Sequence, residues 1–230
     1  MKKLKSIGIG AAIVFAAFFI CPFLLAAVSK KASDHIYRAI SLNLIAHQLK
    51  TGNKSEKELA LSIYDYVRSA IKHPDAGQKI LEMHPVEVLK MGRGSCDQMA
   101  HLMIFISWAG GLDGRMVFLF GSENISRHTV AELMVDGKWA MFDPYYQHIA
   151  VDEGRLLSVD EIVRQTFAFG DNPLIDSLTY NSYFDKKFPS KVHPLDRETK
   201  REKVMHFYLD MVYDMSPLWF SRMLQSFANR

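Results

Sequence analysis

His128-Thr-Val-Ala-Glu-Leu-Met-Val-Asp-Gly-Lys-Trp-Ala-Met-Phe-Asp143 is the stretch that decides the fold. Two runs rich in β-formers flank Asp136-Gly137, a dipeptide suited to the left-handed conformations of a two-residue hairpin turn. If that turn is taken, Val135 pairs with Lys138, Met134 with Trp139, Glu132 with Met141 and Val130 with Asp143. Strand side chains alternate between faces with period two. His128, Val130, Glu132 and Met134 therefore share a face with Trp139, Met141 and Asp143. His128 becomes the diagonal neighbour of Asp143, at about 7–8 Å between residues, within reach of an imidazole and a carboxylate. Register alone thus supplies a base and a group to orient it, two parts of a nucleophilic triad.

Upstream, Met91-Gly-Arg-Gly-Ser95 reads as a tight turn. Cys96 to Ala109 is helical and apolar, and Gly110-Gly111 ends it. Cys96 therefore opens a helix. The N-terminal turn of a helix carries partial positive charge and unpaired N–H groups, which favour a thiolate and can stabilise an oxyanion. Between helix and hairpin, Arg115–Phe120 reads as a buried strand, followed by the polar loop Gly121–Arg127.

Working further outward, a helix is expected from Ser33 to about Lys50. A second, with Ser55 and Glu58 as a capping box, runs to about Lys72. A short helix follows His84-Pro85 and ends at Gly92. Ser158 and Glu161 form another capping box, for a helix to about Phe169. Residues 171–198 read as a long loop with short elements, and Thr199 to Phe227 as a helix interrupted at Pro217. The fold class is α+β, with helices on a small antiparallel sheet.

The order of Gly94-Ser95-Cys96, the apolar helix, Gly110 to Arg115, His128, Asp136 to Trp139 and Phe142-Asp143-Pro144 resembles the core of the transglutaminase-like superfamily, a papain-like Cys–His–Asp arrangement. The match runs from about Gly92 to Tyr145, and the chain resembles a membrane-anchored, bacterial-type member of that superfamily. The resemblance implies that Cys96 sits at a helix N-terminus against a sheet carrying His128 and Asp143. It makes these three the catalytic residues of a cysteine peptidase or acyltransferase. Glu132 also fits the family pattern. The sequence departs from it at Val130, where an aromatic residue is common. It also lacks a Trp between Ser29 and Cys96, where crosslinking members carry an oxyanion donor. Gln98 is a weak substitute for that donor.

The chain of 230 residues has a net charge of +3 and no basic stripe interleaved with aromatics, so nucleic acid is not an expected partner. Its two cysteines, Cys21 and Cys96, are not expected to pair. The histidines lack metal-ligand spacing, and no metal or cofactor is expected. His101 is read as structural and His148 as an exposed loop residue. Glu132 is a candidate partner of Arg115 or Arg127, and Trp139 a packing residue. Ser6 to Val28 is almost wholly apolar and flanked by lysines. About 20 apolar residues span a hydrocarbon core, and signal-peptide cores run only about 7–15. Residues 1–30 are therefore read as a membrane anchor, with cleavage as a signal sequence the alternative. Residues 31–230 are read as one transglutaminase-like domain with a C-terminal helical extension. The lysine bias puts that domain outside the cytoplasmic membrane, in the periplasm or extracellular space. A peptide or protein substrate is expected. The other function class is a non-catalytic, membrane-tethered binding module on the same fold.

Overall fold

The computed structural model describes residues 30–75, 84–121, 125–187 and 190–193. The apolar segment 6–28, Cys21 and the expected helix 199–227 lie outside the described residues. Among the described residues no helix is long and apolar enough to cross a membrane. The chain divides into two compact units, Met1–Ser41 with Phe207–Arg230, and Leu42–His206. The second unit holds the sheet and every residue of the candidate site.

Helices α1 (Lys30–Lys50), α2 (Glu56–Ala70), α3 (Pro85–Met91) and α4 (Cys96–Ala109) precede strands β1 (Gly114–Phe120), β2 (Ser126–Val135) and β3 (Lys138–Asp143). Short strands β4 (His148–Ile149), β5 (Val151–Asp152) and β6 (Arg155–Leu156) follow. Helices α5 (Val159–Gln165) and α6 (Ser177–Ser182) come next, then β7 (Ser190–His193). The main sheet has the order β4-β3-β2-β1-β7, and each pairing within it is antiparallel. The α+β architecture agrees with a transglutaminase-like core.

Local chemistry explains most boundaries. Ser55 and Glu58 form a reciprocal capping box at the start of α2, and Ser158 and Glu161 do the same for α5. Gly92 ends α3 in the left-handed region, φ 63°. Asp136 and Gly137 have φ of 51° and 75°, as a type I′ turn needs. The β2/β3 register runs from Val135↔Lys138 to Ala131↔Phe142, as read from the sequence.

Some expectations shift. Helix α1 begins at Lys30, before Ser33, and α5 ends at Gln165 rather than Phe169 because Thr166 turns left-handed at φ 54°. Residues 171–198 contain α6 and β7. The latter pairs Val192 with Val117 and Lys191 with Phe118, completing the sheet on the far side of β1.

The two faces of the sheet carry different loads. Tyr64 of α2 meets Phe142 at 6.0 Å between rings, and Gly114 lies against Ile104 of α4 and Leu133 of β2. The opposite face, bearing Val117, Leu119, Val130 and Met141, packs in one cluster with Leu157, Ile162, Phe169, Tyr180 and Phe184. At about 25 cal/mol per Å² of apolar surface, each fully buried large side chain in such a layer contributes roughly 1.5–3 kcal/mol. His128, Glu132 and Asp143 are embedded in this second layer and are 2%, 1% and 0% exposed.

Candidate active site

Cys96 occupies the first helical position of α4. The loop before it is pinned by two backbone hydrogen bonds: Lys72 N–H donates to Gly92 O at 2.9 Å and Gly94 N–H to Lys72 O at 3.0 Å. A Cβ on Gly94 would lie 3.1 Å from Ile71 Cγ2 and 3.2 Å from Val88 Cγ1. Glycine therefore lets the backbone seat closely against α2 and α3 just before the cysteine. The Ser95 N–H donates to Gln98 Oε1 at 2.7 Å. The 1% exposed Gln98 amide is thus turned back toward its own helix end. Gln98 Oε1 thus closes the cap of α4.

The structure brings the three candidate residues together. His128 Nε2 donates to Asp143 Oδ2 at 2.6 Å, and His128 and Cys96 are hydrogen-bonded through their side chains. Because Nε2 is engaged by the carboxylate, Nδ1 is the ring nitrogen left for sulfur. Burial alone would push the His128 pKa down. The charge and hydrogen bond of Asp143, joined by Cys96, outweigh it and raise it to about 9. Burial also opposes ionisation of Asp143. The charge and hydrogen bond of His128, with the Tyr180 hydroxyl and Tyr146 N–H, hold that carboxyl below its ordinary range. Asp143 Oδ1 accepts from the backbone N–H groups of Tyr145 at 3.0 Å and Tyr146 at 3.1 Å, and Oδ2 accepts a second bond from Tyr180 Oη at 2.7 Å. A wholly buried carboxylate is tolerated because all these donors replace water.

Aromatic rings enclose the imidazole. His128 lies 4.8 Å from Tyr146, 5.4 Å from Tyr183 and 6.1 Å from both Tyr145 and Tyr180. His73 stacks on Tyr145 at 4.0 Å and donates from Nε2 to the Tyr145 carbonyl at 2.7 Å. Burial first, then the electrostatic influence of Cys96 and Asp143, raise the Tyr145 pKa, which puts its phenol within the field of the site. His148 is not an exposed loop residue. It is half-buried in β4, opposite Asp143 in the sheet, with its ring tilted against Tyr180 at 4.2 Å. Its Nε2 accepts from Asn172 Nδ2 at 2.6 Å, and burial pushes its pKa down.

Glu132 is paired with Arg115 at 2.6 Å, and the Arg115 guanidinium lies 4.1 Å from the centre of Trp139. Its other oxygen accepts from the Val159 N–H at 2.7 Å, capping α5. His101 packs edge-on against Phe105 at 4.6 Å. The sequence reading missed Tyr180, Tyr183, His73 and Asn172. Tyr180 and Tyr183 lie within the expected loop, where there is no periodic signal. Only the density of aromatics from Phe167 to Phe184 hinted at a buried segment.

Three solved structures share limited similarity with the chain. A candidate protease from Parabacteroides distasonis is 17% identical over 45% of this chain and 23% of its own, with a TM-score of 0.39. A candidate cysteine protease from Cytophaga hutchinsonii is 18% identical over 54% of this chain and 40% of its own, TM-score 0.40. A protein called a TGase is 15% identical over 54% and 36%, TM-score 0.36. The chain thus spans less than half the length of each. No curated protein matches it. Residues 44–144, which contain Cys96, His128 and Asp143 but end before Tyr145, match the model of the transglutaminase-like superfamily, and this segment is a transglutaminase-like superfamily domain.

Proposed function

We propose that the chain is a cysteine-dependent acyl-transfer enzyme acting on amide bonds of peptides or proteins. The observation that carries this reading is the His128 imidazole, hydrogen-bonded to Asp143 at 2.6 Å and to the Cys96 side chain. In the proposed cycle the Cys96 thiol gives its proton to His128 Nδ1, and the thiolate attacks the amide carbonyl carbon. The carbonyl electron pair moves onto oxygen, where N–H groups of the first turn of α4 stabilise it. As the tetrahedral intermediate collapses, the C–N bond breaks and His128 gives its proton to the leaving amine. A thioester on Cys96 remains. Water, or an acceptor amine, then adds to it while His128 takes the incoming proton. The C–S bond breaks, and His128 returns a proton to sulfur. Asp143 keeps Nε2 protonated and supports the imidazolium throughout.

Hydrolysis or amide transfer on a peptide is favoured over protein crosslinking, because no Trp precedes Cys96 in the domain. The apolar stretch Ser6 to Val28 supports tethering of the enzyme to a membrane, with the catalytic domain in the periplasm or extracellular space.

The test is alkylation of Cys96 by iodoacetamide across pH, followed by incubation with amide-bearing peptides, with and without an added amine. Fast alkylation below the ordinary thiol range of about 8.5, lost in His128→Ala, supports the enzyme. Released peptide then means hydrolysis, and an amine adduct means transfer. Slow alkylation that is the same in wild type and variant sinks the enzyme reading and leaves the binding module.

A further inference from the structure

The residues that set a triad's behaviour need not belong to it, and one such residue comes from beyond the transglutaminase-like segment. Asp143 Oδ2 accepts from two side chains, His128 Nε2 at 2.6 Å and Tyr180 Oη at 2.7 Å. Tyr180 is 0% exposed, so its hydroxyl has given up water for this one carboxylate. Packing alone does not call for that hydroxyl. The ring lies among Phe169 at 4.9 Å, Phe184 at 5.5 Å and His148 at 4.2 Å, where a phenyl group would fill the same space without a polar atom to satisfy.

The segment that carries Tyr180 is tied down from two sides. The Asn181 side chain accepts from Phe169 N–H at 2.8 Å and donates to Phe169 O at 3.0 Å. Asn172 Nδ2 donates to Tyr146 O at 2.7 Å and to His148 Nε2. Tyr146 in turn gives its N–H to Asp143. One of the two ties, through Asn172 and Tyr146, therefore runs to the carboxylate that Tyr180 addresses.

Resting on the acyl-transfer reading above, we propose that Tyr180 is a positioning residue that acts on the reaction through Asp143, fixing Oδ2 in line with His128 Nε2 and sharing its negative charge. Its effect is to limit how strongly the imidazolium is held. His128 must take a proton from sulfur and then release it to a leaving amine. A carboxylate that held the imidazolium too strongly would make it a poor acid in the second step. A hydroxyl donated to the same oxygen draws off part of that charge.

The test uses the full-length chain, with wild type compared to Tyr180→Phe. The His128 ring is titrated by nitrogen-15 NMR, and Cys96 alkylation by iodoacetamide is followed across pH. Phe keeps the packing and removes the donor. The imidazolium should then persist to higher pH by roughly 0.5–1 on the pH scale, a fraction of a lost charge-assisted hydrogen bond, because Asp143 stays ionised in both states of the imidazole. The thiolate should form at correspondingly lower pH. Placing 3-fluorotyrosine at position 180, which keeps the ring and strengthens the donor, should move both curves the opposite way; it also serves if Tyr180→Phe does not fold. Curves that overlay wild type in either folded variant, or a Tyr180→Phe shift to lower pH, overturn the proposal and leave Tyr180 a packing residue. If wild type itself shows no thiolate–imidazolium pair, the acyl-transfer reading fails first, which is a separate outcome from a wild-type pair unmoved by position 180.

Discussion

Asp143 and Glu132 are two buried carboxylates on the same face of the same hairpin, and their neighbours make them different objects. Asp143 faces His128, whose charge can change by proton exchange and which is hydrogen-bonded to the Cys96 side chain. Glu132 faces Arg115, whose charge is permanent, and spends its other oxygen on the Val159 N–H at the start of α5. Burial and pairing are alike, at 0% and 1% exposure. The difference shows that a buried acid–base pair signals chemistry only when its cationic member can exchange a proton with a nucleophile. Glu132 lacks such a partner and is a structural staple between the hairpin and the second layer.

That contrast can be broken by experiment. The largest effect belongs to the Asp143 side. Cys96→Ala should remove turnover by at least about three orders of magnitude with an unchanged melting curve, because the nucleophile is lost while a half-buried position barely alters packing. Residual turnover near wild type would put the nucleophile elsewhere. Asp143→Asn should lower turnover by roughly 10²–10⁴, since the amide no longer enforces the Nε2–H tautomer or supports an imidazolium. In that variant the His128 titration should fall from about 9 toward its ordinary 6.5.

The Glu132 side should respond in stability instead. Glu132→Ala leaves Arg115 and the Val159 N–H without their acceptor, and should cost about 3 kcal/mol in denaturant unfolding. The pH dependence of Cys96 alkylation should be unmoved. A shift in that profile would mean the two carboxylates are coupled, and the division drawn here would fail.

A smaller signature is the pH dependence of stability. His128 has a raised pKa in the folded chain. Its contribution is fully present below about 6.5 and is lost as pH rises through about 9. Asp143 has a lowered one, so its contribution is present above its ordinary 3.8 and is lost as pH falls through the folded value. Unfolding curves of wild type should therefore weaken between pH 6.5 and 9 more than those of His128→Ala. Parallel curves would mean His128 is not charged in the fold. The smallest effect is expected at Gly94. A methyl there presses on Ile71 and Val88 at 3.1 and 3.2 Å, and should cost about 1 kcal/mol, read as a lower melting temperature.

The sequence by itself determined the features whose physics is local. Asp136-Gly137 selects a type I′ turn, the turn sets the register, and period-two alternation then puts His128 and Asp143 on one face. Capping chemistry at Ser55 and Ser158 marked two helix starts, and the glycine-rich turn before Cys96 marked a third. What joins distant segments was decided by tertiary structure. The hydrogen bond from Cys96 to His128 was legible only through a family resemblance. Arg115 was one of two candidate partners for Glu132 until the β1/β2 pairing set them opposite each other. Nothing in the residues from Asp171 to Phe184 announced that Tyr180 would reach Asp143, or that Ser190–His193 would add a strand beside β1. Local patterns fix dihedral angles and faces a few residues apart. Contacts across tens of residues depend on which buried surfaces and polar groups satisfy one another once the chain has folded.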